Sequence, residues 1–237
     1  MGATIWYLYH SGFALRTEGH FLIFDYWKMD PRGGGLAQGV INPAELADLD
    51  VIAFASHAHG DHYSPELLRL GEGIARYRVV LSDDIRPAPG ALMVGPGQRL
   101  EQPDFVLETL DSTDEGVAFL LEIDGLRIYH AGDLNWWHWE GEPEPYNTGM
   151  KEKYQAQIAK LGGRPIDLAF VPVDPRLGEQ YLLGIDHLMR TQGVRCVVPM
   201  HFGDDVSVVD RLLRDPQSAP YRDRVLALTA RGQSATI

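Results

Sequence analysis

The stretch "DVIAFASHAHGDH", residues 50 to 62, joins a short apolar run to a crowded cluster of polar side chains. Residues 51 to 55 are apolar throughout, which predicts a buried strand. Directly after this strand, three histidines and one aspartate fall within the six positions from 57 to 62. Functional side chains are often carried by loops that follow buried strands. The stretch therefore predicts a strand whose carboxyl end presents several potential metal ligands.

The spacing inside the cluster indicates how its members divide between ions. On an extended backbone His57 and His59 point to the same side, so both imidazoles can bind one ion. Gly60 permits a sharp turn that aims Asp61 and His62 elsewhere, which favours a second ion. Imidazole and carboxylate together suit zinc, iron or manganese better than calcium or magnesium. The alternative is a solvated polar turn that binds no ion.

Two later residues have the same strand-end position as His57. His201 directly follows the apolar run "CVVPM", and Asp133 follows "LRIYHAG" beside the flexible Gly132. Asp133 can bridge two ions because one carboxylate offers two oxygens. A structural ion pair or a helix cap is the alternative for Asp133.

The hydrophobic pattern predicts a β-rich first half and an α/β second half. Residues 4–17 and 20–27 form two apolar runs around the turn "EGH", the pattern of a hairpin. Asn42 and Pro43 begin a short helix as its cap and first residue. The dipeptide Asp124-Gly125 predicts a type I′ hairpin turn. The second half alternates a helix that ends at Gly162-Gly163, a strand at 167–173, a helix at 182–192, a strand at 196–202, a helix at 206–215 and a closing strand at 224–230.

This order predicts an α+β protein in which two mixed β-sheets pack face to face with helices on the outer faces. Residues 1–237 contain no linker-like stretch and no short-period repeat. We therefore expect a single domain over the whole chain.

The residues of the cluster resemble a known family. "HAHGDH" fits the HxHxDH motif of the metallo-β-lactamase superfamily, a group of hydrolases with an αββα sandwich fold. The order is also similar along nearly the whole chain, with Asp25 after an early strand, then the cluster, then Asp133 and His201. "YHSGFAL" and "IYHAGD" look especially like the branch that resembles ascorbate-6-phosphate lactonases.

The resemblance implies two neighbouring ions that share one aspartate. One ion would be bound by His57, His59 and Asp133, and the other by Asp61, His62, Asp133 and His201. Asp25 would support the cluster loop through hydrogen bonds. The family usually has a third histidine for the first ion, but no histidine lies between His62 and His130. The corresponding loop, residues 110 to 116, offers carboxylates such as Asp114, so either a carboxylate replaces the histidine or the first site is weak or empty.

The activity that the resemblance implies is metal-dependent hydrolysis. A water between two ions would lose a proton near neutral pH and become the nucleophile. Asp61 would orient this hydroxide or accept its proton. We expect cleavage of an ester, lactone, amide or phosphoester bond in a small molecule, with one or two divalent ions, zinc first and manganese or iron next. The alternative is a non-catalytic or mononuclear metal-binding protein of the same fold with a degenerate first site.

Several further residues are candidates for the site. Trp136 and its neighbours in "LNWWHWEGEPEPYN", residues 134 to 147, predict either an aromatic wall of the active-site mouth or a packed loop. His138 is a candidate ligand or acid, and His10 lies at the end of the first strand, where it can approach the ions. Arg176 is a candidate for gripping a substrate carboxylate or phosphate, with a salt bridge as the alternative.

The bulk composition excludes some classes of partner. The formal charge of −12, from 33 acidic and 21 basic residues, disfavours nucleic acids and anionic membranes. The single cysteine, Cys196, cannot form an internal disulfide. The sequence has no membrane-length apolar segment and begins without the pattern of a signal peptide. We therefore expect a cytoplasmic protein that acts on a small molecule, and both a monomer and a homo-oligomer remain open.

Overall fold

Strand β4, Asp50–Ala55, ends directly before the histidine cluster, as the sequence predicts. The computed structural model describes residues 2–162 and 164–237, so Gly163, half of the predicted helix stop, lies outside the described residues. Contacts between Cα atoms group the chain into two units. The first unit contains the residues up to Gly95 together with Leu228–Ile237, and the second contains Pro96–Ala227. The single domain over residues 1–237 stays a prediction.

The described strands of the first unit form one mixed sheet in the order β13-β1-β2-β3-β4-β5-β6. The neighbours from β13 to β3 are antiparallel, and those from β3 to β6 are parallel. The remaining strands are β1 Thr4–Tyr9, β2 Gly12–Arg16, β3 Phe21–Phe24, β5 Arg76–Ser82, β6 Leu92–Val94 and β13 Ser234–Thr236. The predicted hairpin joins β2 and β3. The first apolar run contains two strands instead of one, because the chain reverses at His10, whose φ is 57°.

Short helices cover one face of this sheet. They are the 3₁₀ helices Leu36–Gln38, Pro43–Glu45 and Leu70–Gly73, and helix α1, Glu66–Arg69. Asn42 caps the second of them by accepting a hydrogen bond from the backbone N–H of Ala44 at 3.1 Å, as predicted. Alternate residues of β4 share a buried cluster with Leu67 and Leu70. The strand that leads into the histidine cluster is thereby packed against the short helices.

The described strands of the second unit form a second mixed sheet in the order β12-β11-β10-β9-β8-β7. The neighbours from β7 to β10 are antiparallel, and those from β10 to β12 are parallel. The strands are β7 Arg99–Glu101, β8 Phe105–Asp111, β9 Val117–Ile123, β10 Leu126–His130, β11 Ile166–Pro172 and β12 Val194–Met200. Asp124 and Gly125 have φ values of 50° and 75°, which agree with the type I′ turn predicted between β9 and β10.

The helices of the second unit occur where the sequence predicts them. They are α2 Tyr146–Ala159, α3 Leu183–Thr191 and α4 Ser207–Arg214, with 3₁₀ helices at Pro175–Gln180, Pro216–Ser218 and Arg222–Arg224. Helix α3 contacts both α2 and β11. The predicted α+β class, with two mixed sheets, is confirmed. Within residues 2–162 and 164–237, no helix has the length and apolar character needed to cross a membrane.

The closing strand predicted at residues 224–230 is wrong. Val225 makes only an isolated parallel bridge to Val197, and Leu226 donates one backbone hydrogen bond to the carbonyl of Val197 at 2.8 Å. The chain then turns, with the backbone N–H of Gln233 donating to the carbonyl of Ala230 at 2.9 Å, instead of continuing along β12. The final strand is β13, which pairs with β1.

A close approach of α3 to the segment after β10 gives a stability prediction. A Cβ atom at Gly184 would lie 2.0 Å from Oδ1 of the buried Asn135. We expect Gly184→Ala to lower the free energy of unfolding by about 1–3 kcal/mol, since helix and segment must separate. Urea unfolding measures the change.

Gly149→Ala in α2 is the matched control, because a Cβ atom there meets nothing within 4 Å. This control should gain roughly 0.5–1 kcal/mol from the better helix propensity of alanine. Equal effects of the two substitutions would contradict the assigned contact.

Candidate metal centre

In the first unit, polar residues follow three neighbouring parallel strands. Asp25 comes directly after β3, Ser56 and His57 come directly after β4, and Asp84 comes shortly after β5. Because parallel strands run in one direction, their carboxyl ends meet at one edge of the sheet. The structure thus gathers at one edge residues that are up to 59 positions apart, from Asp25 to Asp84.

Asp25 ties the cluster loop to β3 through its fully buried carboxylate. Oδ1 accepts a hydrogen bond from the backbone N–H of Ser56 at 2.8 Å. Oδ2 accepts one from the Ser56 hydroxyl at 2.7 Å and lies 2.7 Å from Nδ1 of His62. A buried charge is tolerated only when it is hydrogen-bonded in this way. The φ of Asp25 is 42°, a left-handed conformation that these contacts stabilise.

These contacts also determine which nitrogen of each ring carries the proton. The single hydroxyl proton of Ser56 goes to Asp25, so the oxygen accepts from Nδ1 of His57, 3.0 Å away. His62 donates its Nδ1 proton to Asp25 directly. In the neutral rings of His57 and His62 the lone pair is therefore at Nε2. This is the state in which an imidazole binds a metal through Nε2.

The predicted ligands of the first unit and the candidate His10 fall into two close groups. His10, Asp61 and His62 each offer a ligand atom within 4.8 Å of the others, and His10 Nε2 lies 3.5 Å from Asp61 Oδ2. The rings of His57 and His59 have centroids 4.7 Å apart. His10, which the sequence placed at a strand end, thus joins the cluster.

Asp84 is a residue of this edge that the sequence analysis missed. Its Oδ2 accepts a hydrogen bond from the backbone N–H of Ala58 at 2.8 Å, between the first two histidines of the cluster. The available signal was its position after the apolar run "YRVVLS", which resembles the position of Asp25 after "FLIF".

In the second unit, three further residues follow neighbouring parallel strands. Asp133, Asp174 and His201 come after β10, β11 and β12, and all three are buried. His201 Nε2 lies 3.3 Å from Asp133 Oδ1, and His201 Nδ1 lies 2.9 Å from Asp174 Oδ2. His201 has a left-handed φ of 66°. One imidazole is thus flanked by two carboxylates.

Asp174 is also held by Arg176, for which the sequence left substrate binding and a salt bridge open. Arg176 forms the salt bridge, because its Nε and Nη2 both donate to the Asp174 carboxylate at 2.5–3.0 Å. Burial raises the pKa of Asp174, but hydrogen bonds from His201 and Arg176 outweigh this effect and lower the pKa to about 2. The sequence analysis missed Asp174, although "DLAFVPVD" has the same strand-end pattern as the run before Asp133.

A cavity of about 190 Å³ lies within the second unit. Its lining residues are Thr113, Asp114, Asp133, Trp137, Trp139, Tyr146, Met150 and Arg176. The indole planes of Trp137 and Trp139 are parallel, with centroids 6.1 Å apart. The Thr113 hydroxyl donates to the carbonyl of Asn135 at 2.6 Å, which ties the loop that carries Asp114 to the segment after β10. The cavity therefore combines an aromatic wall with carboxylates and a guanidinium group.

The structure places Trp136 outside this aromatic wall. Its ring lies 6.4 Å from that of Tyr154 and 6.2 Å from that of His187. The chain turns tightly after Trp136, where the backbone N–H of His138 donates to the carbonyl of Trp136 at 2.9 Å. His138 is half-buried and is not among the described residues that line the cavity.

Comparisons with known proteins show which family this chain resembles. Residues 4–138 match the family described as "Beta-lactamase superfamily domain". A protein named UPF0173 metal-dependent hydrolase, from Pyrococcus abyssi, is 26% identical over 213 residues, which cover 83% of this chain and 83% of that protein.

Two solved structures resemble this chain along its whole length. Igni18, described as a novel metallo hydrolase from Ignicoccus hospitalis, has a TM-score of 0.64 and 18% identity, and the match covers 100% of this chain and 99% of that chain. The metallo-β-lactamase fold protein YhfI from Bacillus subtilis has a TM-score of 0.60 and 12% identity, with 100% of this chain and 99% of that chain covered. These likenesses show the metallo-β-lactamase fold that the sequence predicted.

The buried carboxylate of Asp25 gives the prediction for this site. We expect Asp25→Ala to lower the free energy of unfolding by about 2–4 kcal/mol, because the donors of Ser56 and His62 lose their charged acceptor. Asp50→Ala is the control in the same sheet, since its ion pair with Arg78, at 3.0 Å, is partly exposed and contributes less than about 1 kcal/mol. Urea unfolding compares the two variants, and equal losses would contradict the role given to Asp25.

Proposed function

Because the chain belongs to the metallo-β-lactamase superfamily, we propose that it is a metal-dependent hydrolase of small molecules. The ligands in this proposal are His57, His59, Asp61, His62, Asp133 and His201. The observation that carries it is the 3.3 Å distance between His201 Nε2 and Asp133 Oδ1. Two ligands that are 2.0–2.2 Å from one tetrahedral ion lie about 3.4 Å apart, so this pair has the spacing of ligands that share an ion.

The donor set agrees with this proposal. Ser56 and Asp25 leave the lone pairs of His57 and His62 at Nε2, and Asp174 does the same for His201. Neutral imidazoles with carboxylates suit zinc, and manganese or iron next. We propose zinc, with one or two ions per chain.

A divalent transition-metal ion, when bound, supplies an activated water at neutral pH and polarises the bond to be cleaved. Asp61 has a side chain that is 52% exposed, so it can take up a proton and pass it to the leaving group. His10 lies 3.5 Å from Asp61 and orients it. Trp137 and Trp139 bind the apolar part of the substrate in the cavity, whose volume suits a small molecule.

The bond in this proposal belongs to an ester, a lactone, an amide or a phosphoester. The resemblance to ascorbate-6-phosphate-lactonase-like proteins favours a lactone among these. Asp114 is the carboxylate of the 110–116 loop that lines the cavity with Asp133, so it is our candidate for the position of the missing histidine. If Asp114 binds no metal, the first site is weak and the chemistry is mononuclear.

Metal content tests the ligand assignment. We expect elemental analysis of protein purified without chelator to give one or two transition-metal ions per chain. His57→Ala and His201→Ala should each lower this number, while the control His187→Ala should not, because His187 contacts Trp136 and Tyr154 instead. Protein that binds no metal even after reconstitution would reject the hydrolase and leave the non-catalytic alternative.

The role of Asp61 is tested by turnover. We expect Asp61→Ala to lower kcat by about 10²- to 10⁴-fold on any ester or lactone that the wild type cleaves, because a proton acceptor is lost. The free energy of unfolding should change by less than about 0.5 kcal/mol, since the side chain is half exposed. An unchanged kcat, or a loss of stability as large as that of Asp25→Ala, would contradict a catalytic role.

A further inference from the structure

His201 is held from the side opposite Asp133 by a pair of residues that the sequence analysis did not connect with it. Its Nδ1 lies 2.9 Å from Oδ2 of Asp174, whose side chain is 1% exposed. Arg176 grips the same carboxylate through its guanidinium group, and its backbone N–H donates to Oδ1 at 2.8 Å. The plane of the carboxylate is therefore fixed by Arg176, and Oδ2 faces the imidazole.

We propose that Asp174, held in place by Arg176, is a positioning residue that fixes the ring orientation and the tautomer of the metal ligand His201. This inference rests on the proposed function, because it takes His201 to be a metal ligand. An ionised Asp174 accepts only, so His201 keeps its proton on Nδ1 and its lone pair on Nε2. The paired hydrogen bonds from the Arg176 guanidinium to the same carboxylate stabilise its charged form.

The geometry on the other side of the ring suits a cation. With the proton on Nδ1, the lone pair of Nε2 faces a carboxylate oxygen of Asp133 at 3.3 Å. Two acceptors at this distance repel each other unless a proton or a metal ion lies between them. By holding the proton on the far nitrogen, Asp174 favours a metal ion in this position.

Asp174 has a second role that the test must separate from the first. It caps the 3₁₀ helix Pro175–Gln180, because its side chain accepts from the N–H of Arg176. Serine caps helices about as well as aspartate does, but its side chain is one bond shorter and cannot also reach His201. Asparagine also caps and keeps an acceptor oxygen, although without the charge. Asp174→Ser therefore removes the contact to His201, and Asp174→Asn restores part of it.

The experiment has two readouts. Competition with a chromophoric chelator measures the affinity for Zn²⁺, and ¹H–¹⁵N spectra of histidine rings in the metal-free protein report the tautomer of His201, assigned with His201→Gln. We expect Asp174→Ser to weaken Zn²⁺ binding by 10- to 100-fold and to remove the Nδ1–H signature of His201. Asp174→Asn should lie between Asp174→Ser and the wild type.

The matched control is Asp167→Ser at the other end of β11. Asp167 also accepts from an arginine side chain, that of Arg195 at 2.6 Å, and from a backbone N–H, that of Arg127 at 2.8 Å. This variant loses the same kinds of bond but should leave the zinc affinity and the His201 signature unchanged.

An unchanged tautomer and unchanged zinc affinity in Asp174→Ser would overturn the inference, as would equal effects in the Asp167 control. If the wild type binds no zinc, the proposed function fails. The ring spectra then still decide whether Asp174 sets the state of His201.

Discussion

In each unit, a buried carboxylate that follows a strand accepts a hydrogen bond from Nδ1 of a histidine. Asp25 lies 2.7 Å from Nδ1 of His62, and Asp174 lies 2.9 Å from Nδ1 of His201. Burying a carboxylate costs several kcal/mol unless strong donors surround it, so each of these residues requires further partners. Ser56 supplies them for Asp25, and Arg176 supplies them for Asp174. The orientation of the histidines follows from the need to satisfy these charges.

The same requirement explains why unfavourable backbone conformations occur here. Asp25, His201 and His10 have φ values of 42°, 66° and 57°, a region that residues other than glycine rarely adopt. Such strain persists only where the surrounding contacts determine the conformation, and it is concentrated at functional sites. In Asp25 the strained residue itself receives the hydrogen bonds that hold it. The strain therefore supports the assignment of these strand ends as the site.

The sequence predicts the strands that carry the site better than it predicts how their ends combine. Strands β4 and β12 end in apolar runs, at residues 51–55 and 196–200, and β10 is mostly apolar, so the residues that follow these strands are readable as candidates. The role of Asp174 depends on β11 lying between β10 and β12 in the sheet. The order of strands in a sheet cannot be read from the hydrophobic pattern. Asp84 was missed for the same reason, since its contact requires β5 to lie beside β4. The order of strands and helices along the chain predicted the fold class, and the resemblance to a family agreed with it.

The contacts of the aspartates distinguish those that orient histidine ligands from the one that can transfer protons. Asp25 and Asp174 are saturated with donors, and a carboxylate whose pKa is held near 2, as in Asp174, cannot act as a base at neutral pH. Asp61 is half exposed and has His10 at 3.5 Å as an ionisable neighbour. A group that exchanges protons with a substrate must keep room for it, whereas a group that orients a ligand gains from being enclosed. Burial and hydrogen bonding thus assign Asp25 and Asp174 to orienting ligands and Asp61 to proton transfer. The sequence alone shows all three simply as acidic residues near strand ends.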